Sequence, residues 1–329
     1  MEISVIICTH NPRRDYLERA LGGLRGQSLA TNAWELLLVD NASAEPLSAA
    51  LDLGWHPHTR LVREERLGLT PARLRGIAES AAPLLVYVDD DNVLAPDYLA
   101  AALAVREKHS LLGAWSGQVL PEFEVPPPPG LEPWLHLLCL RPLTRECWGN
   151  HTDTGRFPFG AGMCVRRVVA ERYAQALRAD PARLALDRTG DLLYSSGDLD
   201  VGMTAVALGL GNGLFPQLCV THLIPERRLE EAYLLKLARD GAASYEVFRR
   251  VWGLESPAAS RADRMVATYK LWRASARQRK FNRALREGEA LGQRLADKLG
   301  VPNQSCCTGI KCGTSRSVLR AAEDLNSMA

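Results

Sequence analysis

The stretch Leu84-Leu85-Val86-Tyr87-Val88-Asp89-Asp90-Asp91-Asn92 constrains this chain more than any other. Five apolar or β-favouring residues without alternation suit a strand buried on both faces, as in a parallel sheet. Three carboxylates follow at the strand's carboxyl end, where open α/β sheets hold their ligands. Adjacent like charges repel, so something must offset them. A divalent cation does this, and hard oxygen ligands suit Mg²⁺ or Mn²⁺. Mg²⁺ held by one or two carboxylates is normally shared with substrate phosphates. Taken alone, the same acids are a solvated turn ahead of a helix that starts near Pro96.

The remaining text supplies the context. Ile3 to Cys8 reads as a buried strand, stopped by Thr9-His10-Asn11-Pro12. A helix from Arg13 to about Gly26 follows, with Tyr16, Leu17, Ala20, Leu21 and Leu24 at helical spacing. Trp34 to Val39 is a second strand ending on Asp40-Asn41-Ala42-Ser43, and Leu61-Val62-Arg63 a short third. Thr70 is placed to N-cap a helix with Pro71 at its first position, running to about Ser80. The acid-tipped strand comes fourth, then a helix from Pro96 to His109. Strand and helix in alternation predict a mostly parallel sheet flanked by helices.

After Gly113 the pattern loosens. Pro121 to Pro133 holds six prolines and reads as a stiff surface connection. Gly160-Ala161-Gly162-Met163 is a small-residue loop feeding a strand, and a helix from Val168 to Leu177 follows. Ser195-Ser196-Gly197-Asp198-Leu199-Asp200 opens another helix, which ends near Gly209. Phe215 to Val220 is a last strand with Thr221-His222 at its tip. From Glu226 the text is helical and basic. The expected division is 1–225 as an α/β domain, 226–300 as a basic helical extension and 301–329 as a poorly ordered tail.

Charge is uneven. From Glu226 onward 20 Lys and Arg stand against 12 Asp and Glu, which leaves 20 against 26 ahead of it from totals of 40 and 38. The net charge of +2 gives no case for a nucleic-acid partner. The basic helices read as a solvated surface or as a peripheral contact with anionic lipid headgroups. No run of about eighteen apolar residues exists, so no membrane-spanning helix is expected. Cys8, Cys139, Cys164 and Cys219 lie in apolar contexts and read as small buried hydrophobes of a cytoplasmic protein. Cys306, Cys307 and Cys312 have no fourth ligand near them and read as thiols, not a zinc site.

Three strand tips end in functional groups: Thr9 and Asn11, Asp40, and Asp89 to Asp91. Three on neighbouring parallel strands make a polar crevice suited to a nucleotide. Asp40 can accept from a base N–H or a ribose hydroxyl. Asp91 can hold a metal that neutralises a diphosphate. Arg73 and Arg75 lie on a helix from which they can reach phosphate or ribose. No Gly-x-Gly-x-x-Gly and no Walker loop follow the first strand, so dinucleotide and P-loop readings lose support.

Ser4-Val5-Ile6-Ile7-Cys8-Thr9-His10-Asn11, Val39-Asp40-Asn41-Ala42-Ser43 and Val88-Asp89-Asp90-Asp91-Asn92 together resemble the family-2 nucleotide-sugar glycosyltransferases. Gly68 to Gly76 is similar to that family's Gly-x-x-x-Ala-Arg-Asn-x-Gly stretch, Gly160 to Met163 to its acceptor loop, and Ser196 to Asp200 to its Gly-Glu-Asp segment. The resemblance runs from about residue 3 to 225. It implies a Rossmann-like GT-A fold and an inverting transfer of sugar from a nucleoside-diphosphate donor, UDP-linked, to a glycan or lipid-linked acceptor. Thr9, Asn11 and Asp40 would hold the base, Asp89 and Asp90 would contact the nucleotide with Asp89 at the ribose, and Arg73 would help with the diphosphate. Asp91 and His222 would hold Mn²⁺ or Mg²⁺, and Asp198 would be the general base on the acceptor hydroxyl. Two departures stand out: Leu74 replaces the usual Asn, and Gly197 replaces the usual Glu before Asp198. Read alone, Asp198 is a helix cap, His222 a strand-end polar residue and Asp40-Asn41 an ordinary turn. Two other readings stay open: a nucleotidyltransferase that makes nucleotide sugars, and a non-catalytic binding subunit that kept the fold.

Overall fold

In the computed structural model, residues 1–47, 51–254 and 272–302 are described, with 260, 265, 266 and 269 between them. Cys306, Cys307 and Cys312 lie outside the described residues.

The first half is β1 (Ile3–Thr9), α1 (Arg14–Arg25), β2 (Trp34–Asn41), β3 (Thr59–Glu64), α2 (Leu69–Glu79), β4 (Leu84–Asp89), β5 (Asn92–Leu94), α3 (Tyr98–Lys108) and β6 (Leu112–Phe123). The second half is β7 (Cys147–Gly149), β8 (Cys164–Arg166), α4 (Arg167–Ala179), α5 (Pro181–Leu184), β9 (Asp187–Thr189), β10 (Leu192–Ser195), α6 (Gly197–Ala207), β11 (Gly211–Ile224), α7 (Glu231–Val251) and α8 (Ala276–Lys298). Among the described residues one sheet runs β3-β2-β1-β4-β8-β6-β11-β5, with β7 added on β11, and β9 and β10 form a separate hairpin. β3, β2, β1 and β4 are parallel, as are β6 and β11; β8 runs against both β4 and β6.

The continuous apolar strands have a simple cause. Val5 and Ile7 of β1, Leu36 and Leu38 of β2, and Val86 and Val88 of β4 face the layer of α1 and α3. Their neighbours Ile6, Leu37, Val39, Leu85 and Tyr87 face α2, α4 and α6. Both faces are covered, so alternation has no solvent side to report. The chain goes outward through β2 and β3 and then returns to the other flank of β1 for β4, which makes β1/β4 the point where strand order reverses. Register pairs Thr9 with Asp40 and Cys8 with both Val39 and Asp89, so these strand tips finish level at one edge.

Several boundaries differ from the sequence reading. α2 begins at Leu69 with Gly68 as its N-cap, at φ 136°; Thr70 lies inside the first turn and its hydroxyl donates to Asp187 instead. β6 is twelve residues long where the text loosens. Gly113, Ser116 and Gly117 dilute its apolar signal, and Gly117 lies under the Leu218 backbone at a register shift in β11. Pro121 to Phe123 therefore belong to a strand, and only the rest of the proline-rich stretch is connection. β11 is fourteen residues long, and His222 is inside it rather than at its tip.

α7 and α8 run parallel, tied at one end by Lys280 to Glu231 (2.7 Å) and at the other by Arg250 to Asp297 (2.7 Å). They seal onto the sheet domain: Trp134 stacks on Phe281 at 3.9 Å beside Ile224 and Leu234, and Trp252 Nε1 donates to the fully buried Asp200 at 2.7 Å. No helix among the described residues is long and apolar enough to cross a membrane.

Candidate active site

Three groups of side chains gather at the carboxyl edge of the sheet. The first is at β1 and β2. Asn11 takes the left-handed conformation, φ 46°, which Asn tolerates better than most residues. Its N–H donates to Ser43 Oγ and its Oδ1 accepts from Ala44 N, both at 2.9 Å, so the two loops are clamped together. Asp40 is buried. It accepts from Ser43 N at 3.1 Å and pairs with Arg63 Nη1 at 2.8 Å. Burial opposes its charge, but Ser43 and Arg63 more than compensate and hold its carboxyl below the usual range.

The second group is the acidic tip. Thr9 Oγ1 donates to Asp90. Burial and the neighbouring Asp91 charge push the Asp90 carboxyl up to about 7. Asp89 is raised too, by burial and then by Asp91. Asp91 goes the other way: burial opposes its charge, yet His222 and Arg228 keep it well below the carboxylate range. The antiparallel pairing of β5 with β11 sets His222 opposite Asn92, which brings its Nε2 to 3.6 Å from Asp91 Oδ2. The short 3-10 turn Glu226–Leu229 after β11 returns Arg228 to the same point. Its guanidinium lies 2.8 Å from Asp91 Oδ2 and 2.9 Å from His222 Nε2, bridging the two expected metal ligands.

The third group surrounds Asp198, in the first turn of α6. Its Oδ2 accepts from Gly160 N at 2.6 Å and its Oδ1 meets Arg73 Nη2 at 2.8 Å. The loop needs glycine at 160, because a Cβ there would come within 2.8 Å of both carboxylate oxygens. Arg73 is nearly sealed and reaches Asp187 with its other nitrogen, at 3.2 Å. Although burial disfavours its charge, Asp198 and Asp187 raise its pKa well above the ordinary value. Asp198 remains 21% exposed toward the cleft.

Thr9, Asp89, Asp90, Asp91 and His222 thus lie together, with Asn11 one strand tip from the acids of β4 and Asp40 two. Asp89 senses both Arg73 and Asp198 electrostatically, which brings the third group to the same cleft. Arg73 faces acids, not open solvent. Arg75, on the same helix, pairs with Glu79 at 2.9 Å and lines a groove of about 430 Å³ with Arg178 and Leu184 on the outer face, away from the cleft. Of the tryptophans, Trp115 is core and Trp134 is stacked on Phe281, while Trp148 is exposed beside His109 on β7, at the opposite end of β11.

Sequence reading missed Asp187, Arg188 and Arg228. Asp187 and Arg188 begin β9; Asp187 turns inward, and Arg188 is exposed with its positive field on Asp89 and Asp91. Arg228 sat in a basic stretch that looked like solvated surface. Nothing in local spacing marks any of the three.

Residues 4–158 match the family model described as Glycosyl transferase family 2. Human polypeptide N-acetylgalactosaminyltransferase 16 is 32% identical over 109 residues, which is 32% of this chain and 19% of that protein. The matched stretch is therefore about a fifth of that relative's length. The crystal structure of Staphylococcus aureus TarS 1-349 superposes with a TM-score of 0.51 at 13% identity, covering 91% of this chain and 83% of that one, and so shares the fold.

Proposed function

We propose that this chain, which has the GT-A fold and belongs through residues 4–158 to glycosyl transferase family 2, moves a sugar from a UDP-linked donor to a hydroxyl of a glycan or lipid-linked acceptor in one inverting displacement. One observation carries the reading. Asp198 is 21% exposed, and its carboxylate is fixed by Gly160 N–H and Arg73 across from the acidic tip. A carboxylate held this way can take the acceptor's proton as its oxygen attacks the anomeric carbon. The new C–O bond forms as the bond to the nucleoside diphosphate breaks, and the electron pair leaves on phosphate. No enzyme nucleophile is needed, so configuration inverts.

The base and ribose fit Asp40, Asn11 and Thr9, whose loops are already clamped, and Asp89 and Asp90 line the path to the diphosphate. The donor set at Asp91 suits a hard divalent ion. Among the described residues no three His, Cys, Asp or Glu side chains form a complete cage, but one oxygen and one nitrogen donor, with phosphate oxygens completing the shell, is how Mg²⁺ or Mn²⁺ is usually shared with a substrate. Asp91 and His222 would hold the ion, with Arg228 giving up its place between them. A bound cation supplies charge stabilisation to the departing diphosphate.

Exposed Arg279, Arg283, Arg286 and Arg294 on α8, with Tyr269 and Trp272 at 55% and 79% exposure ahead of it, support peripheral contact with an anionic membrane, near a lipid-linked acceptor. Flotation with anionic liposomes that is lost at high salt supports this; no flotation at low salt rejects it.

Calorimetric titration of UDP with and without Mn²⁺, followed by a panel of UDP-sugars assayed for hydrolysis, tests the main reading. UDP binding that needs Mn²⁺ is expected, and absent binding overturns the donor assignment. Asp198→Asn should leave that binding intact while lowering turnover on the order of 10²-fold or more. Parent-rate turnover in this variant rejects Asp198 as base.

A further inference from the structure

Gly197, the residue before the base, has no room for a side chain. An ideal Cβ there falls inside the van der Waals envelope of the Asp187 carboxylate. That carboxylate accepts from Gly197 N–H at 3.2 Å and from Thr70 Oγ1 at 3.1 Å, and pairs with Arg73 Nη1 at 3.2 Å. Arg73 Nη2 then meets Asp198. One guanidinium therefore joins a sealed acid, 3% exposed, to an open one, 21% exposed.

Asp187 reaches this place from a different element. It begins β9, and the β9–β10 hairpin closes immediately before α6. The hairpin's return is locked: Ser196 N donates to Leu186 O at 3.0 Å and to Ser244 Oγ at 3.1 Å, and Ser244 Oγ donates to Leu186 O at 2.9 Å. α7, which carries Ser244, thereby fixes where Asp187 stands. Strand geometry sends the next residue, Arg188, to the opposite side, toward the acidic tip.

We propose that Asp187 is the positioning residue of the base: it supplies, from the hairpin, the second carboxylate that residue 197 does not carry, and it aims Arg73 at Asp198. Residues 187 and 197 form a matched pair, an acid at one and glycine at the other. The inference rests on Asp198 being the base.

A swap tests it, using the full chain and the UDP-sugar that the parent hydrolyses fastest. Asp187→Asn keeps shape and one acceptor oxygen but loses the charge that orients Arg73. Misplacement of a catalytic group by about 1 Å costs on the order of 100-fold, so kcat should fall by about that factor while donor KM and Mn²⁺–UDP affinity stay within about twofold. Gly197→Glu should be poorly active, because two carboxylates compete for one space. The double variant Asp187→Gly with Gly197→Glu should recover to within about tenfold of the parent, because the acid returns from the other backbone position. Melting temperatures separate collapse from misplacement: Asp187→Asn breaks a buried ion pair and should melt about 5–10 °C below the parent while still unfolding in one cooperative transition above the assay temperature. Parent-level kcat in Asp187→Asn, or a double variant no better than Gly197→Glu, overturns the proposal. Should Asp198→Asn turn over at the parent rate, the base assignment fails instead, whatever residue 187 does.

Discussion

Replacing Arg228 by Met asks whether the guanidinium and a divalent cation compete for one seat. Arg228 contacts Asp91 at 2.8 Å and His222 at 2.9 Å, with side-chain exposures of 16% for Arg228 and 10% for Asp91. Hydrogen bonds to charged groups contribute about 1.5–3 kcal/mol net, and breaking a buried ion pair costs about 3–5 kcal/mol. Asp91 keeps Asn92 Nδ2 at 2.9 Å, so about 3 kcal/mol is the reasonable loss, or a melting temperature roughly 5–10 °C lower without metal. If a cation takes the same seat, it must first displace Arg228 in the parent at the same cost. At about 1.4 kcal/mol per decade, Mn²⁺ should bind Arg228→Met about 100-fold more tightly than the parent. Thermal unfolding across a Mn²⁺ titration reads both effects: the variant melts lower in chelator, responds at lower Mn²⁺, and converges on the parent at saturation, because Arg228 is out of the seat in both. Equal Mn²⁺ dissociation constants in the two proteins would refute the shared seat.

Three further outcomes are expected. Arg188→Ala removes an exposed cation whose field reaches Asp89 and Asp91; donor KM should rise about tenfold with kcat little changed, and an unchanged KM removes Arg188 from the diphosphate path. Glu35, buried on β2, accepts from Ser4 Oγ at 2.6 Å and Ala81 N at 2.9 Å; burial opposes its charge, but these bonds and Arg60 lower its pKa from 4.5. A lowered folded pKa gives stability above pH 4.5 that is lost as pH falls through the folded value. Glu35→Gln should therefore be less stable by about 1–3 kcal/mol at pH 7 and converge on the parent in acid, as read by urea unfolding at a series of pH values. Phe281→Ala empties the contact with Trp134 and should cost about 3–5 kcal/mol; a loss below about 1 kcal/mol by the same assay would mean α8 is not part of the cooperative core.

Legibility followed the range of the interactions. β1, β2 and β4 could be read because burial on both faces writes itself into consecutive residues. β6 could not, because the close approach at Gly117 and the small residues around it erase the apolar run. At the cleft, Thr9, Asp40 and Asp89 to Asp91 were visible because they stand directly after such strands. Asp187 and Arg228 were not, since their partners are set by tertiary return: Arg73 lies 114 residues from Asp187, and Arg228 meets Asp91 only after β11 has crossed the sheet. The same distance explains Thr70, which has the right neighbours for a helix cap yet turns to an acid 117 residues away.

The charges in the cleft also favour the proposed pairing of a cation with the donor. Asp89, Asp90, Asp91, Asp187 and Asp198 face Arg73, Arg188 and Arg228. Five acids against three guanidiniums leave an excess of two, and burial with the Asp91 charge has already pushed Asp90 to about 7 to relieve it. Of the three cations, Arg73 is fully engaged between two acids and Arg228 is held by Asp91. Only Arg188 stands outside an ion pair among the described residues. A diphosphate entering such a cleft alone adds like charge to a partly desolvated site, where Coulomb repulsion is weakly screened. A divalent ion held by Asp91 and His222, as proposed, would cancel the local excess and would leave Arg228 able to turn toward the incoming phosphates. Two guanidiniums, Arg188 and Arg228, would then face the leaving group where one did before, so UDP without metal should bind weakly and the metal and nucleotide should bind cooperatively.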